Sequence, residues 1–393
     1  MSTASGPTRI GVRIREQRRL AHLTQRQLAQ RLPYSYSLLN QVECGAREAS
    51  SSFVSAVAGA LGIDITLLTD SEAVTSAQRD RLAAMVSPIR DALDRYDLPA
   101  GGVPGGAPLP QLVAEADAAC RQVRATRLRA ASRVLPTLIT GLTREVQLRP
   151  RTDAWKALAS VYRTAHDITV KVGYTDLAGV ALDRMGWAAE RASDPCLAAV
   201  RHYKRALVRQ ERRDLGTCLI EAGRSLLDGD TSKEALVVAG QLHLGAVVVA
   251  ARAGDRAAVA DHLGEAHSLA DRVGGEAAEV HWLSFGHTNI ALHALGARIR
   301  MRQWDEALVE ARAIRLGSGT LTSRRARYLV DRAQVEMETG HTTAALQHLM
   351  EARRVAPEQT RHLPGTRVTV SGLVHTMRRP PEELAHLATW VGR

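Results

Sequence analysis

The sequence predicts an all-α protein: a small N-terminal domain of five short helices over residues 1–70, then a long, irregular helical region over residues 71–393. Three observations carry that reading. Apolar residues recur at helical rather than alternating spacing, in a chain rich in Ala, Leu, Val and Arg. Helix punctuation recurs with them, as Ser, Thr or Asp at starts and Gly or Pro at stops. The composition, 45% hydrophobic and 24% charged over 393 residues, is that of globular domains with a sizeable core and excludes wholesale disorder.

In the first helix Ile10 and Ile14 share one face, leaving Arg13, Arg15 and Arg19 to point outward. Thr24 followed by Gln27 fits a capping box, in which each side chain satisfies an orphan backbone N–H. Leu28, Ala29 and Leu32 form the inner face of this second helix, which is expected to stop at Pro33. Ser35 suits the N-cap of a third helix, with Leu39 and Val42 on its inner face and Gly45 at its end. Ser50 to Ser52 open a fourth helix that runs to Leu61 and stops at Gly62. Asp64 caps a last short helix through Leu68.

Beyond Ser71 the pattern is almost wholly helical. The segment 97–110 interrupts it with four Gly and four Pro in fourteen residues, as either a flexible linker or a long loop between helices. Shorter breakers stand at Arg149-Pro150, Asp194-Pro195, Asp228-Gly229 and Gly274-Gly275. Near the C-terminus, Leu329, Ala333, Gly340, Ala345, Leu349, Ala352 and Pro357 fall in a 34-residue register. That register resembles a tetratricopeptide (TPR) repeat, a helical hairpin in which small residues let two helices approach and Gly turns the corner. Gly254, Val259, Leu263 and Ala266 match more weakly, and Leu295, Ala307 and Ala311 hint at another unit. The spacing between units varies, so the resemblance is to an irregular TPR-like solenoid, which implies a concave binding surface.

Charge and cysteines bound the function classes. The net charge of +11 suits an anionic partner. Only Lys156, Lys171, Lys204 and Lys233 stand among the 52 basic residues, so Arg carries nearly all the positive charge. Residues 9–31 hold seven Arg against the single acid Glu16. Cys44, Cys120, Cys196 and Cys218 are widely spaced with no C-x-x-C pair, against a zinc module or disulfide scaffold and for a reducing compartment. The N-terminus lacks a signal-peptide core and no apolar run is read as approaching 18 residues. A soluble, cytoplasmic, nucleoid-associated protein with no membrane partner is therefore expected.

The run from Leu23 to Gly45 is the most specific signal. Its Leu23-Thr24-Gln25 opening, Leu28-Ala29, Ser35-x-Ser37 and Val42-Glu43-x-Gly45 resemble, in order and spacing, the helix-turn-helix of the XRE (Cro/phage-repressor-like) family. The resemblance covers about residues 10–68 and implies that the helix starting at Ser35 reads DNA. Ser35, Tyr36, Ser37, Asn40 and Gln41 would then face the major groove, where Asn and Gln suit adenine because they present a donor and an acceptor together. Gln25 and Arg26 match phosphate contacts, and Arg47 is placed to clamp the backbone beyond the reading helix. Arg18 and Glu43 match the family's buried ion pair between first and third helices. Pro33 stands where the family usually has Gly, and Tyr36 where it usually has Gln or Arg. A helix-turn-helix reused for protein contacts would leave these outward amides and Arg side chains idle, so the DNA reading is preferred.

The layout resembles actinobacterial XRE regulators with divergent TPR-like sensor regions and, more distantly, the RRNPP peptide-sensing regulators. It implies a homodimer on a pseudo-palindromic operator in double-stranded DNA, and a peptide or small-molecule effector. Trp282, Phe285, His287 and Asn289 are the candidate effector residues, taken to lie in one helical stretch. A simpler reading makes Trp282 and Phe285 core and Asn289 a satisfied buried amide, and the balance favours it. The alternative function is a TPR-type interaction scaffold localised to DNA by its small domain. The chain has no H-E-x-x-H, no G-x-S-x-G, no phosphate-loop order and no convincing Cys/His pair, so no catalytic residue, metal or cofactor is expected.

Overall fold

The structure is a computed structural model that describes every residue except 1–7, 22, 48, 62–67, 69–70, 99–105, 209–211, 378 and 393. It is all-α. Among the described residues no strand forms, and one isolated antiparallel bridge joins Ala277 to Phe285. The described chain divides into two compact units: residues 1–81, 332–351 and 363–393 form one, residues 82–331 and 352–362 the other.

The first unit opens with α1 (Thr8–Leu20), α2 (Gln25–Gln30), α3 (Tyr36–Glu43) and α4 (Ser51–Leu61). Ile14, Leu28, Leu39, Val42, Phe53, Val57 and Leu68 close on one another as its core, and Tyr34 meets Phe53 edge-on at 5.2 Å. Each fully buried Leu, Ile, Val or Phe contributes roughly 1.5–3 kcal/mol. Helix α2 ends at Gln30, capped by Arg31, three residues before the expected stop at Pro33. Gly62 and the short helix predicted from Asp64 lie outside the described residues, apart from Leu68. Ser50 accepts from the Phe53 N–H at 3.2 Å and so caps α4. The chain also forms α5 (Ser71–Asp94) and the one-turn α18 (Pro357–Thr360). Helices α19 (Pro364–Thr376) and α20 (Glu382–Val391) pack against α4 within this unit.

The second unit is a run of packed helices. Helices α6 (Leu109–Arg124) and α7 (Leu128–Leu148) pack on each other and on α8 (Thr152–Lys171). Pairs then follow in sequence: α8 with α9 (Thr175–Arg191), α10 (Pro195–Val208) with α11 (Arg213–Ser225), α12 (Lys233–Arg252) with α13 (Arg256–Val273), and α14 (His287–Arg300) with α15 (Trp304–Ala313). Each pair also packs on the next, which gives a solenoid-like succession. Gly254 turns the corner between α12 and α13 at φ 72°, a left-handed conformation that side chains disfavour. Gly340 does the same, at φ 83°, between α16 (Thr322–Glu338) and α17 (Thr342–Val355), where Ala333, Ala345, Leu349 and Ala352 are all buried.

Two sequence expectations change here. Leu109 and Pro110, assigned to the Gly/Pro-rich segment, are already helical in α6, because proline is tolerated in a helix's first turn. Helix α12 is long and apolar enough to cross a membrane by length and composition, with mean hydropathy 1.7 over its apolar window. Its run mixes in Gln241 and His243, which hid it from a simple apolar count. The window is 83% buried because α10, α11, α13 and α14 all pack against this helix, the condition under which a helix is apolar all round.

The close approach of α1 to α3 centres on Gly11, where an added Cβ would run into the Val42 carbonyl. Gly11→Ala is therefore expected to lower the stability of the N-terminal unit by about 1–3 kcal/mol, as overpacking does. Chemical denaturation followed by hydrogen exchange at α1 and α3 measures this, and unchanged protection would contradict the close approach.

Candidate functional site

The site is built around α3. Thr24 N–H donates to Gln27 Oε1 at 2.8 Å and Gln27 N–H to Thr24 Oγ1 at 3.2 Å, so the expected capping box opens α2. Ser35 Oγ accepts from the Leu38 N–H at 3.2 Å and opens α3. At the other end, Gly45 N–H bonds to the Val42 carbonyl and Ala46 N–H to that of Gln41, a Schellman closure made possible by φ 78° at Gly45. Pro33 calls for no left-handed residue. The α2–α3 turn contains no positive φ and closes through Leu32 N–H to the Ala29 carbonyl.

Fixed at both ends, α3 buries Leu39, Val42 and Glu43 and exposes Ser35, Tyr36, Ser37, Asn40 and Gln41. Arg26, in α2, and Arg47, four residues beyond the end of α3, are also exposed. Every side chain assigned to base reading therefore lies at the surface of this unit.

The helix is anchored through Glu43, 1% exposed. Arg18 grips its carboxylate with two bonds, Nε to Oε1 and Nη2 to Oε2, both 2.8 Å. Arg18 also donates to the Leu23 carbonyl at 2.7 Å, and Arg15 donates to the backbone carbonyl of Glu43 at 2.6 Å. The hydrogen bond to Glu43 raises the Arg18 pKa, against the opposing effect of burial. Gln25 is half-buried: its Nε2 donates to Glu43 Oε2 at 2.8 Å and more weakly to Asn40 Oδ1 at 3.4 Å, while Tyr36 donates to its Oε1 at 3.3 Å. It ties the base of α3 to its exposed face.

A short helix packed at a fixed angle behind a second, with its polar face bare and amide-rich, defines a helix-turn-helix DNA-binding domain. Residues 9–70 match the protein-family model described as a helix-turn-helix domain. No curated protein and no solved structure matches the chain.

The predicted effector residues are not in one helix. Trp282 ends a short 3-10 turn (Val280–Trp282), Phe285 bridges to Ala277, and only His287 and Asn289 are in α14. The break is enforced by the backbone: His281, Trp282 and Ser284 all have positive φ, which a helix cannot include. Phe285 is fully buried against Gly240, where a Cβ would strike its ring. Trp282 donates to Asp117 at 2.9 Å, and His287 is exposed, with Nε2 3.0 Å from Asp271. Asn289 is buried; its Nδ2 donates to Gln241 Oε1 at 3.4 Å, but its Oδ1 has no partner.

A polar cluster that the sequence reading missed lies in the second unit. Asp167, 3% exposed, receives Arg124 Nη2 at 2.6 Å and Lys204 Nζ at 2.8 Å. Burial pushes the Asp167 pKa up, but Lys204 and Arg124 outweigh it and hold this carboxyl well below the usual range. Arg163 and Lys171 flank Asp167 on α8 at i−4 and i+4, one helical face. That spacing, together with two of the chain's four lysines, was the available signal. Among the described residues Asp194, Cys196 and Glu234 also lie close enough to share a metal ion. Lys156 at 2.8 Å from Asp194 and His281 at 2.6 Å from Glu234 already face those carboxylates, and burial pushes the Cys196 thiol up to about 12. A protonated thiol beside matched carboxylates fits a metal poorly.

Two outcomes follow. Arg18→Met leaves Glu43 buried without its bidentate partner and is expected to cost about 3–5 kcal/mol. Urea titration reads this, and a loss below about 1 kcal/mol would show the pair to be dispensable. Burial also pushes His166 down to about 4 and His293 to about 3. Bases depressed on folding stabilise fully above their unfolded pKa near 6.5 and lose that stability as pH falls toward the folded value. The thermal midpoint should therefore drop between pH 6.5 and pH 4, and less steeply in His166→Gln.

Proposed function

We propose that this protein is a sequence-specific transcriptional regulator that acts as a cytoplasmic, nucleoid-associated homodimer on a pseudo-palindromic operator. The observation that carries the reading is the exposed row Tyr36, Ser37, Asn40 and Gln41 on a helix locked from behind by Arg18 and Glu43. Such a row has no role in packing and the right chemistry for base edges, above all adenine. Arg26 and Arg47 supply the flanking positive charge for phosphates, with Gln25 orienting Asn40 and Tyr36 from behind. In a two-fold assembly two such helices reach half-sites about 34 Å apart, one turn of DNA.

The likeness to XRE regulators with a TPR-like sensor region supports giving the second unit two tasks, dimerisation and response to a peptide or small-molecule effector. An effector that shifts the separation of the two reading heads by a few Å removes contacts at both half-sites at once. We assign the protein no catalytic activity, metal or cofactor.

The test is selection of full-length protein on a random duplex pool at about 0.15 M salt, where non-specific phosphate binding is weak. A two-fold symmetric motif is expected, and Gln41→Ala should lose about 1–3 kcal/mol of discrimination at one position of each half-site. No enriched motif from folded protein overturns the reading.

A further inference from the structure

We propose that the interior of the second unit binds a compact multivalent oxyanion, a phosphoryl group or polycarboxylate carried by a small molecule, on Arg124, Arg163, Lys171, Lys204 and Arg324. This names the chemistry of the effector and rests on the regulator reading above.

The first argument is charge. Helix α8 presents Arg163, Asp167 and Lys171 along one face; Arg124 arrives from the end of α6, Lys204 from α10 and Arg324 from α16. Their electrostatic influence overlaps: Lys171 feels Arg124, Arg324 and Lys204, and Lys204 feels Arg124 and Arg163. Among the described residues Asp167 acts on Lys171, Lys204 and Arg324 alike. Five basic groups around one carboxylate, three of them arginines that stay charged, leave an internal excess of positive charge. A buried charge without a counter-charge is costly, so a site that keeps this excess is built for an anion that arrives from outside.

The second argument is unfilled bonding capacity. Arg163 is 1% exposed and Arg124 9%, yet the Nε of each has no partner. Lys171 Nζ reaches only a neutral acceptor, Gln359 Oε1 at 2.6 Å, whose amide nitrogen in turn donates to the Ser323 carbonyl at 2.8 Å. Arg163 donates from Nη1 to the His281 carbonyl at 2.5 Å and from Nη2 to Cys120 Sγ at 3.1 Å and Ser160 Oγ at 3.3 Å, and Arg324 donates to the Leu283 carbonyl at 3.2 Å. Those carbonyls belong to the segment in which His281, Trp282 and Ser284 carry positive φ. Neutral polar groups continue from the cluster, with Gln241 donating to Tyr203 at 2.7 Å and Asn289 keeping an open Oδ1. Guanidinium forks and ammonium groups with amides alongside suit an oxyanion on a polar body.

The protonation of the cluster agrees with this. Burial and then Arg124 push Lys171 down to about 7, and burial pushes Lys204 down to about 8 although Asp167 pulls the other way. Burial raises the Cys120 thiol, but Arg163 and Arg124 outweigh it and bring it below its ordinary value. Both lysines sit in a positive potential that an entering oxyanion would neutralise.

The experiment is calorimetry and thermal denaturation of full-length protein with inorganic phosphate, pyrophosphate or citrate, against sodium chloride at equal ionic strength. At least one multivalent oxyanion is expected to bind and raise the thermal midpoint beyond chloride, and comparison of the phosphates with citrate separates the two sources of charge. Lys171→Met and Arg324→Gln should each weaken that binding about tenfold or more. Lys171→Met should also raise the midpoint of the ligand-free protein, since it removes a mutually repelled charge; a merely structural lysine would lower it and leave affinity unchanged. No stabilisation beyond chloride by any of the three, or full affinity in both variants, overturns the site whatever the protein does to DNA. Oxyanion binding that leaves operator affinity unmoved upholds the site and overturns only its role as effector site.

Discussion

The N-terminal domain depends on one carboxylate. Glu43 sits at the last turn of α3 with almost no exposure, and the polar groups that orient that helix converge on it: the Arg18 fork, the Gln25 amide and, through its backbone carbonyl, Arg15. A helix of eight residues has little stability of its own, because nucleation is costly and few hydrogen bonds repay it. Its position must therefore come from outside, from Leu39 and Val42 against the core and from a charge pair that tolerates little displacement. Two parallel N–H···O bonds fix direction as well as distance, which a single apolar contact does not. The exposed row from Tyr36 to Gln41 is useful only because that geometry is held.

The second unit rests on the opposite arrangement. Helix α12 is apolar on every side and carries the pairs before and after it, so its burial organises the middle of the succession. Against this apolar background α8 is anomalous, since Arg163, His166 and Asp167 are all nearly inaccessible. Natural sequences place such conflicts with local packing rules where function requires them. Internal positive charge in excess of its counter-charge lowers the stability of a fold, and an anion that bound there would restore it, which is the physical basis of the oxyanion site proposed above.

How far each feature was legible in the sequence varies with its range in the chain. The caps at Thr24, Ser35 and Ser50 were readable because the bonds span three residues, and the structure reproduces them. The Arg18–Glu43 pair was readable through a family resemblance, since nothing local tells a residue about a partner 25 positions away. The region from Trp282 to Asn289 was misread as one helix. Its composition is compatible with a helix, and only packing of Phe285 against Gly240, with the bridge to Ala277, bends the backbone into positive φ. The role of Gly11 was invisible for the same reason: a glycine in a helix looks like a weakness until the partner backbone is seen.

By itself the sequence determined that the chain is helical, where α2, α3 and α4 begin, and which face of the third helix is bare. Those are properties of periodicity and of bonds between near neighbours. Only the tertiary structure decided which distant groups meet: the C-terminal helices against α4, and Arg124, Lys204 and Arg324 gathered from three helices around the face of α8. Spacing along one helix can place Arg163, Asp167 and Lys171 on a line. Whether that line faces water or a buried ring of further cations depends on how successive pairs stack, and stacking is a property of surfaces that no local pattern encodes.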